Sequence, residues 1–405
     1  MRLVALICTL ALCASHAQAA TARWIGSWGA SPAPPMATPA GGNALRATPT
    51  FSNQTIVQVV RLSAGGQRLR IRLTNEYGAK ALEIGAARVS LVGADGAVVA
   101  GSDRPVTFSL GPGAIIPAGA PLVSDPVALP TKTLARLRIT LFLPGESGCT
   151  CHMSGEEFVQ VVAGDATQRP LPPAAGPAQY RAFLSGVEVE TTAAPGPVVV
   201  AFGDSITDGY QSTVGANHRW PDRLEERLAA RDANRASAVV NTGISGNRIL
   251  SDGAITIFGQ NALSRFDRDV LSIPGATHLI VLEGVNDLGM AGNRANPPSA
   301  EALIAGYRQL IGRAHAHGLK IYGATILPYG GAGYFTPQGE AVRTAVNTWI
   351  RTFHEFDGVI DLDAAIRDPA RPERLRAELQ SGDWLHPNDA GYRVMGDAVN
   401  LALFR

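Results

Sequence analysis

Apolar and polar residues alternate with different periods in the two halves of the chain. In the first half the period is two. Residues 55–62 (TIVQVVRL) and 67–74 (QRLRIRLT) both follow it, with Ala64, Gly65 and Gly66 between them. This is the pattern of a hairpin whose strands bury one face. Further short runs, rich in β-formers, occur at 86–92, 97–100, 106–110 and 134–143, separated by turns of Gly, Pro and Asp. No amphipathic helix of useful length interrupts them. Regularly spaced short strands predict an all-β sandwich, jelly-roll-like, over residues 20–190. Residues 24–32 (WIGSWGASP) read as a strand and turn packed against the second half.

The stretch 191–197 (TTAAPGP) reads as a linker, and the grain changes after it. Segments 198–202, 238–241, 277–282, 320–327 and 358–362 are apolar throughout rather than alternating. Between and after them come helical patterns at 220–230, 299–317, 338–355 and 387–403. Continuous apolar strands alternating with helices predict a parallel sheet covered on both faces, over residues 198–405. Ligands of such sheets bind beyond the carboxyl ends of the strands.

Composition narrows the function classes. The chain has 405 residues, enough for two domains, and a net charge of +1 with scattered Lys and Arg. That excludes a nucleic-acid surface or a polybasic membrane patch. Arg2, the apolar run 3–12 and Ala17-Gln18-Ala19 have the form of a secretory signal peptide over 1–19, cleaved near Ala19. The expected destination is the periplasm or the exterior. The run is too short to span a bilayer, and no later segment is long and apolar enough, so stable membrane insertion is not expected. Of the four cysteines, Cys8 and Cys13 fall in the leader. Cys149 and Cys151 flank Thr150 just before His152. They fit a tight local disulfide in an oxidising compartment; the sharper alternative, a metal site with His152, lacks a second ligand pair.

The candidate chemistry lies at the strand ends. The first apolar strand runs into GDSITDG at 203–209, which places Ser205 at a strand mouth. A serine hydroxyl is a weak nucleophile until a base takes its proton. Among eight histidines, His386 stands apart, in a loop before the last helix and three residues after Asp383. A carboxylate beside an imidazole fixes its tautomer and stabilises its charged form. Donors for an oxyanion occur at two other strand ends: the glycines of NTGISGN at 241–247 and Asn286 in GVND at 284–287. Gly243 and Gly246 both qualify as such a donor. Asp204 and Asp208 read as loop hydrogen-bonders, and Asn247, Gly284 and Asp287 as loop supports. Trp384 either packs under the histidine or lines the cleft.

Taken together, GDSITDG, Gly246, GVND and Asp383-x-x-His386 resemble the four blocks of the SGNH, or GDSL, hydrolase superfamily. The resemblance covers about residues 197–405, and GDSI stands where GDSL names the family. It implies a three-layer α/β/α, flavodoxin-like fold and an esterase or lipase that needs no metal or cofactor. It implies Ser205 as nucleophile, His386 as base and Asp383 as its orienting acid. It also implies an oxyanion hole from the Ser205 and Gly246 N–H groups and the Asn286 side chain. The resulting expectation is a secreted serine esterase for short acyl esters, of small molecules or acylated polysaccharides. The alternatives are a lipase or lysophospholipase, in which residues 330–337 (GGAGYFTP) border the acyl pocket, and a non-catalytic carbohydrate-binding protein. The β domain is either a structural partner or a carbohydrate-binding, cleft-shaping module.

Overall fold

Strands that bury one face need a second layer to bury it against. In this computed structural model, which describes residues 21–36, 47–173, 179–290 and 296–405, the N-terminal strands solve the problem with two antiparallel five-stranded sheets. In one, Arg23–Gly29, Leu184–Thr191, Gly66–Thr74 and Val127–Thr131 are successive neighbours, and Pro121–Val123 also pairs with Gly66–Thr74. In the other the order is Val159–Ala163, Gln54–Arg61, Arg136–Leu143, Ala86–Val92 and Arg104–Val106. Inward residues of both sheets, among them Ile56, Val60, Leu69, Ile71, Leu137 and Ile139, share one core. Fully burying each such side chain is worth about 1.5–3 kcal/mol. The leader expected at 1–19, with Cys8 and Cys13, lies outside the described residues.

Two expected strands shrink. Residues 97–100 form only a bridge from Val98 to Val92, because the chain is turning there. The strand expected at 106–110 ends at Val106, since Ser109 and Leu110 adopt positive φ. Conversely, Leu184–Thr191 is a central strand that no expected run covers.

In the second half we label the strands β1 (Ala194–Gly203), β2 (Arg235–Asn241), β3 (His278–Leu282), β4 (Lys320–Ala324) and β5 (Gly358–Ile360). All pairs are parallel, and the order is β2-β1-β3-β4-β5. This is a doubly wound, flavodoxin-like sheet whose order reverses between β1 and β3. Helix Trp220–Arg231 packs with Asp389–Ala398, and Ala300–Ala316 with Pro337–Thr352, to complete an α/β/α sandwich. The last helix begins only at Asp389, where Asn388 accepts from the Gly391 N–H and caps it. Residues 191–197 are mostly strand. Ala194 and Pro195 pair with Arg235 and Ala236, and the register then shifts before Val198, where the prolines interrupt the ladder. Among the described residues, no helix is long and apolar enough to cross a membrane.

The two halves are packed against each other. A Cβ at Gly26 or Gly29 would lie 2.6 Å from Ile273 or Val240, so strand Arg23–Gly29 approaches β2 as only glycine permits. Ser63 Oγ accepts from the Val239 N–H at 2.6 Å, and Ser31 Oγ donates to the Thr242 carbonyl at 3.1 Å. Arg61 reaches Glu225 and Glu226 on helix Trp220–Arg231 at 3.1 and 3.0 Å.

Candidate active site

The buried strand β1 delivers Ser205 to the sheet edge. Asp204 caps the single helical turn Ser205–Asp208 by accepting from the Ile206 N–H at 2.9 Å. The sharp turn leaves Ser205 facing a cleft rather than the core. Its Oγ lies 2.9 Å from His386 Nε2. His386 Nδ1 lies 2.5 Å from Asp383 Oδ2. The other oxygen of Asp383 accepts from the backbone N–H groups of His386 (2.8 Å) and Leu385 (2.9 Å) and from Ser381 Oγ (3.2 Å). Burial works to raise the Asp383 pKa, but these donors, the imidazole first, outweigh it and hold the carboxyl well below its usual range. The carboxylate therefore stays charged beside the imidazole. Trp384, at positive φ, makes the turn between the pair and packs against Gly331 and Arg374. The Tyr210 ring meets the His386 ring edge-on, with centroids 4.8 Å apart.

The loops after β2 and β3 border the same cleft. Gly246 has φ of 77°, and a Cβ there would run into the Phe258 ring. It lines the cleft with Ser205, Asn286 and His386. Gly243 lies elsewhere, pressed against the backbone of Asp208 where a side chain has no room. The amide of Asn286 is oriented from both ends. Its Oδ1 accepts from Tyr334 OH at 3.1 Å, and one Nδ2 hydrogen donates to the Asn247 carbonyl at 3.0 Å. An amide carries a second such hydrogen. Tyr334 comes from the 330–337 segment, which thus acts on the site through Asn286.

Beneath these loops sits Arg265, fully buried. It donates to the carbonyls of Gly203 (2.8 Å) and Thr242 (2.7 Å), to Asn247 Oδ1 (2.8 Å) and to Asp269 (3.0 Å), and lies over the Phe202 ring. One guanidinium thus ties the end of β1 to the loop after β2. Asn247 spends its own amide hydrogens on the carbonyls of Phe258 and Gln260. Asp287 accepts from the N–H groups of Ile249 and Leu250, and Gly284 takes φ of 114° to start the turn that carries Asn286. Burial pushes Asp204 up to about 7 and Asp287 up to about 6. Burial and the neighbouring Asp204 also push Glu283 well above the usual range.

The cleft, about 510 Å³, is not built from the second half alone. Met153, Ser154, Glu156, Gln179 and Tyr180 of the β-sandwich line it opposite Ile257, Phe258, Met290 and Leu385. Burial first, with the charge of Asp208, pushes the Glu156 carboxyl up to about 8. These wall residues carry no signal along the chain, because loops have no periodicity. Cys149 and Cys151 bond to each other, and the His152 ring turns toward Asp208, so the three do not form a metal site. Among the described residues, no group of three or more His, Cys, Asp or Glu is placed to hold a metal ion.

Residues 201–394 match the family model described as the GDSL-like Lipase/Acylhydrolase family. This part of the chain is similar to GDSL-like lipase/acylhydrolase domains. The matched span includes Ser205, Gly246, Asn286, Asp383 and His386. Among solved structures the chain is similar to the acetyl xylan esterase AlAXEase (22% identity, 50% of this chain and 96% of that one, TM-score 0.38). It is also similar to a lipase/acylhydrolase from Enterococcus faecalis (20%, 50% and 92%, 0.38). A third likeness is to Est24, a carbohydrate acetylesterase from Sinorhizobium meliloti (15%, 50% and 95%, 0.39). No curated protein matches the chain.

Proposed function

We propose that the protein is a serine carboxylic-ester hydrolase in which Ser205, His386 and Asp383 act in line. The observation that carries this reading is the hydrogen-bonded series from Ser205 Oγ through His386 to a charged Asp383, open to a cleft. His386 Nε2 takes the Ser205 proton as Oγ attacks the ester carbonyl carbon. The oxyanion is met by the N–H groups of Ser205 and Gly246 and by the free Asn286 Nδ2 hydrogen. When the C–O bond breaks, the leaving alkoxide takes the proton from His386. Water then attacks the acyl-serine by the same route, giving the acid and restoring Ser205.

The cleft favours a short acyl ester of a hydroxyl-rich alcohol. Ile257, Phe258, Met290 and Leu385 offer an apolar wall for the acyl group, while Ser154, Glu156 and Gln179 of the β-sandwich offer polar groups for the alcohol. An acylated carbohydrate has this chemistry. The leader-like residues 1–19 support export, which a mature N-terminus beginning at Ala20 tests.

The test is initial-rate hydrolysis of p-nitrophenyl acetate, butyrate, octanoate and palmitate by wild type and Ser205→Ala. The expected result is turnover of the short esters and a loss of about 10⁴-fold or more in kcat for the variant. Preference for palmitate would replace the short-acyl reading with a lipase. Equal rates for the two proteins would end the assignment of Ser205.

A further inference from the structure

His152 belongs to the β-sandwich, and no step of the ester chemistry uses it. It is buried, and both ring nitrogens are engaged. Nδ1 lies 2.9 Å from the Ser31 carbonyl oxygen, and Nε2 lies 2.9 Å from Asp208 Oδ1. A carbonyl oxygen only accepts, so Nδ1 carries a hydrogen. Without a second proton, the Nε2 lone pair would then meet a carboxylate lone pair at hydrogen-bond distance. The pair therefore shares one further proton and is an imidazolium–carboxylate link across the two halves.

Asp208 passes the link on. Its Oδ2 accepts from the Ser245 backbone N–H at 3.1 Å and from Ser245 Oγ at 2.8 Å. Asp208 also closes the turn that begins at Ser205, and Ser245 directly precedes Gly246. We propose that His152 is a positioning residue: through Asp208 it fixes the loop that aims the Gly246 N–H at the oxyanion, which makes the β-sandwich part of the catalytic geometry. This rests on the esterase reading of Ser205.

The charges around His152 decide how the link responds to pH. Burial opposes the charged ring, but the charge and hydrogen bond of Asp208 outweigh it and raise the pKa above its ordinary value. Buried Arg181 acts in the opposite direction, and Glu156 and Arg219 complete the surrounding charges. A histidine with a raised pKa contributes fully below its ordinary value and loses the contribution as pH rises through the raised one. The loop is thus held below the ordinary histidine pKa and released as pH rises through the raised one.

The experiment compares wild type, His152→Gln, Ser245→Ala and the double variant, by kcat and KM for p-nitrophenyl acetate across pH and by thermal melting. Glutamine can keep a neutral N–H toward Asp208 but has no proton to titrate. Removing an oxyanion donor costs about 10²–10³-fold, so displacing one is expected to lower kcat about 10–100-fold in His152→Gln, with KM changed less than about threefold. The fall of wild-type kcat as pH rises through the raised His152 pKa disappears in that variant. The double variant loses less than the product of the single losses, because both act through Asp208. If His152→Gln does not fold, Asp208→Ala carries the test: it removes the carboxylate that joins His152 to the Ser245 N–H and Oγ, and a kcat equal to wild type overturns the link. An active wild type with an unaffected His152→Gln, or strictly multiplicative losses, overturns this inference alone. A wild type inactive on every ester overturns the esterase reading and this inference with it.

Discussion

The two halves of the chain face one problem, burying apolar strands, and their different solutions decide where chemistry can sit. In the parallel sheet every strand points its carboxyl end the same way. The loops after β1, β2 and β3 therefore meet at one edge, and Ser205, Gly246 and Asn286 converge there. In the antiparallel sandwich, successive strand ends alternate between opposite edges, so no such convergence arises from topology. That half reaches the cleft only through loops, with Ser154, Glu156 and Tyr180 as a wall and His152 as a hidden link. A parallel sheet gathers reactive groups, whereas an antiparallel one supplies surfaces that cover and steady them.

The comparison is tested most severely at Arg265, where one side chain holds two of the converging loops. Removing it leaves Glu283 buried without its cation and Asn247 Oδ1 without a donor, takes one of two arginines from Asp269, and cuts the ties to the Gly203 and Thr242 carbonyls. Arg265→Ala should cost about 3–5 kcal/mol of stability, as breaking a buried pair does, measured by urea unfolding. A loss below about 1 kcal/mol would mean that the loops converge by strand geometry alone, without the guanidinium.

A smaller effect, confined to rate, belongs at Asn286. The alanine variant removes a donor aimed at charge that exists only in the transition state. Its kcat should fall about 10²–10³-fold while KM hardly moves. A rise in KM with kcat unchanged would show that Asn286 binds the ground state, and that the gathering of donors at the sheet edge serves affinity instead of rate.

The contrast also explains what could be read in advance. The apolar runs 198–202 and 277–282 and the residues at their ends carry fold and candidate site in one signal, because in a doubly wound sheet the strand end is the site. In the sandwich, alternation at 55–62 and 67–74 indicates which faces are buried but not which loop faces a neighbour. Asp208 is visible in GDSITDG only as a loop residue. Its partner His152 lies 56 positions earlier in the chain, and nothing local to either residue records the pairing. Arg265 is masked in the same way: an arginine in a short helical stretch reads as surface until the packing shows its five donors engaged or buried. Glu188 and Glu190 balance Arg70 and Arg68 across the outer face of Leu184–Thr191, so that strand reads as polar although its other face is core.

The smallest effect lies in the β half, next to the link itself. The disulfide between Cys149 and Cys151 closes a loop around a single residue, Thr150, and both cysteines are buried. A loop this short restrains the unfolded chain little, about 1.5 kcal/mol on the chain-entropy account, so Cys149→Ser with Cys151→Ser should lower Tm by only about 3–6 °C. His152 is held by more than the bridge, because Cys151 and His152 pair with Ala182 and Arg181, and Ala33 donates to the Cys151 carbonyl. The double serine variant should therefore keep kcat within about twofold of the oxidised wild type, since the loss falls mainly on the unfolded state. A kcat loss approaching that of His152→Gln would show instead that the disulfide sets where the imidazole sits. The steadying role of the antiparallel half would then be redox-sensitive, while the convergence of groups in the parallel half would not.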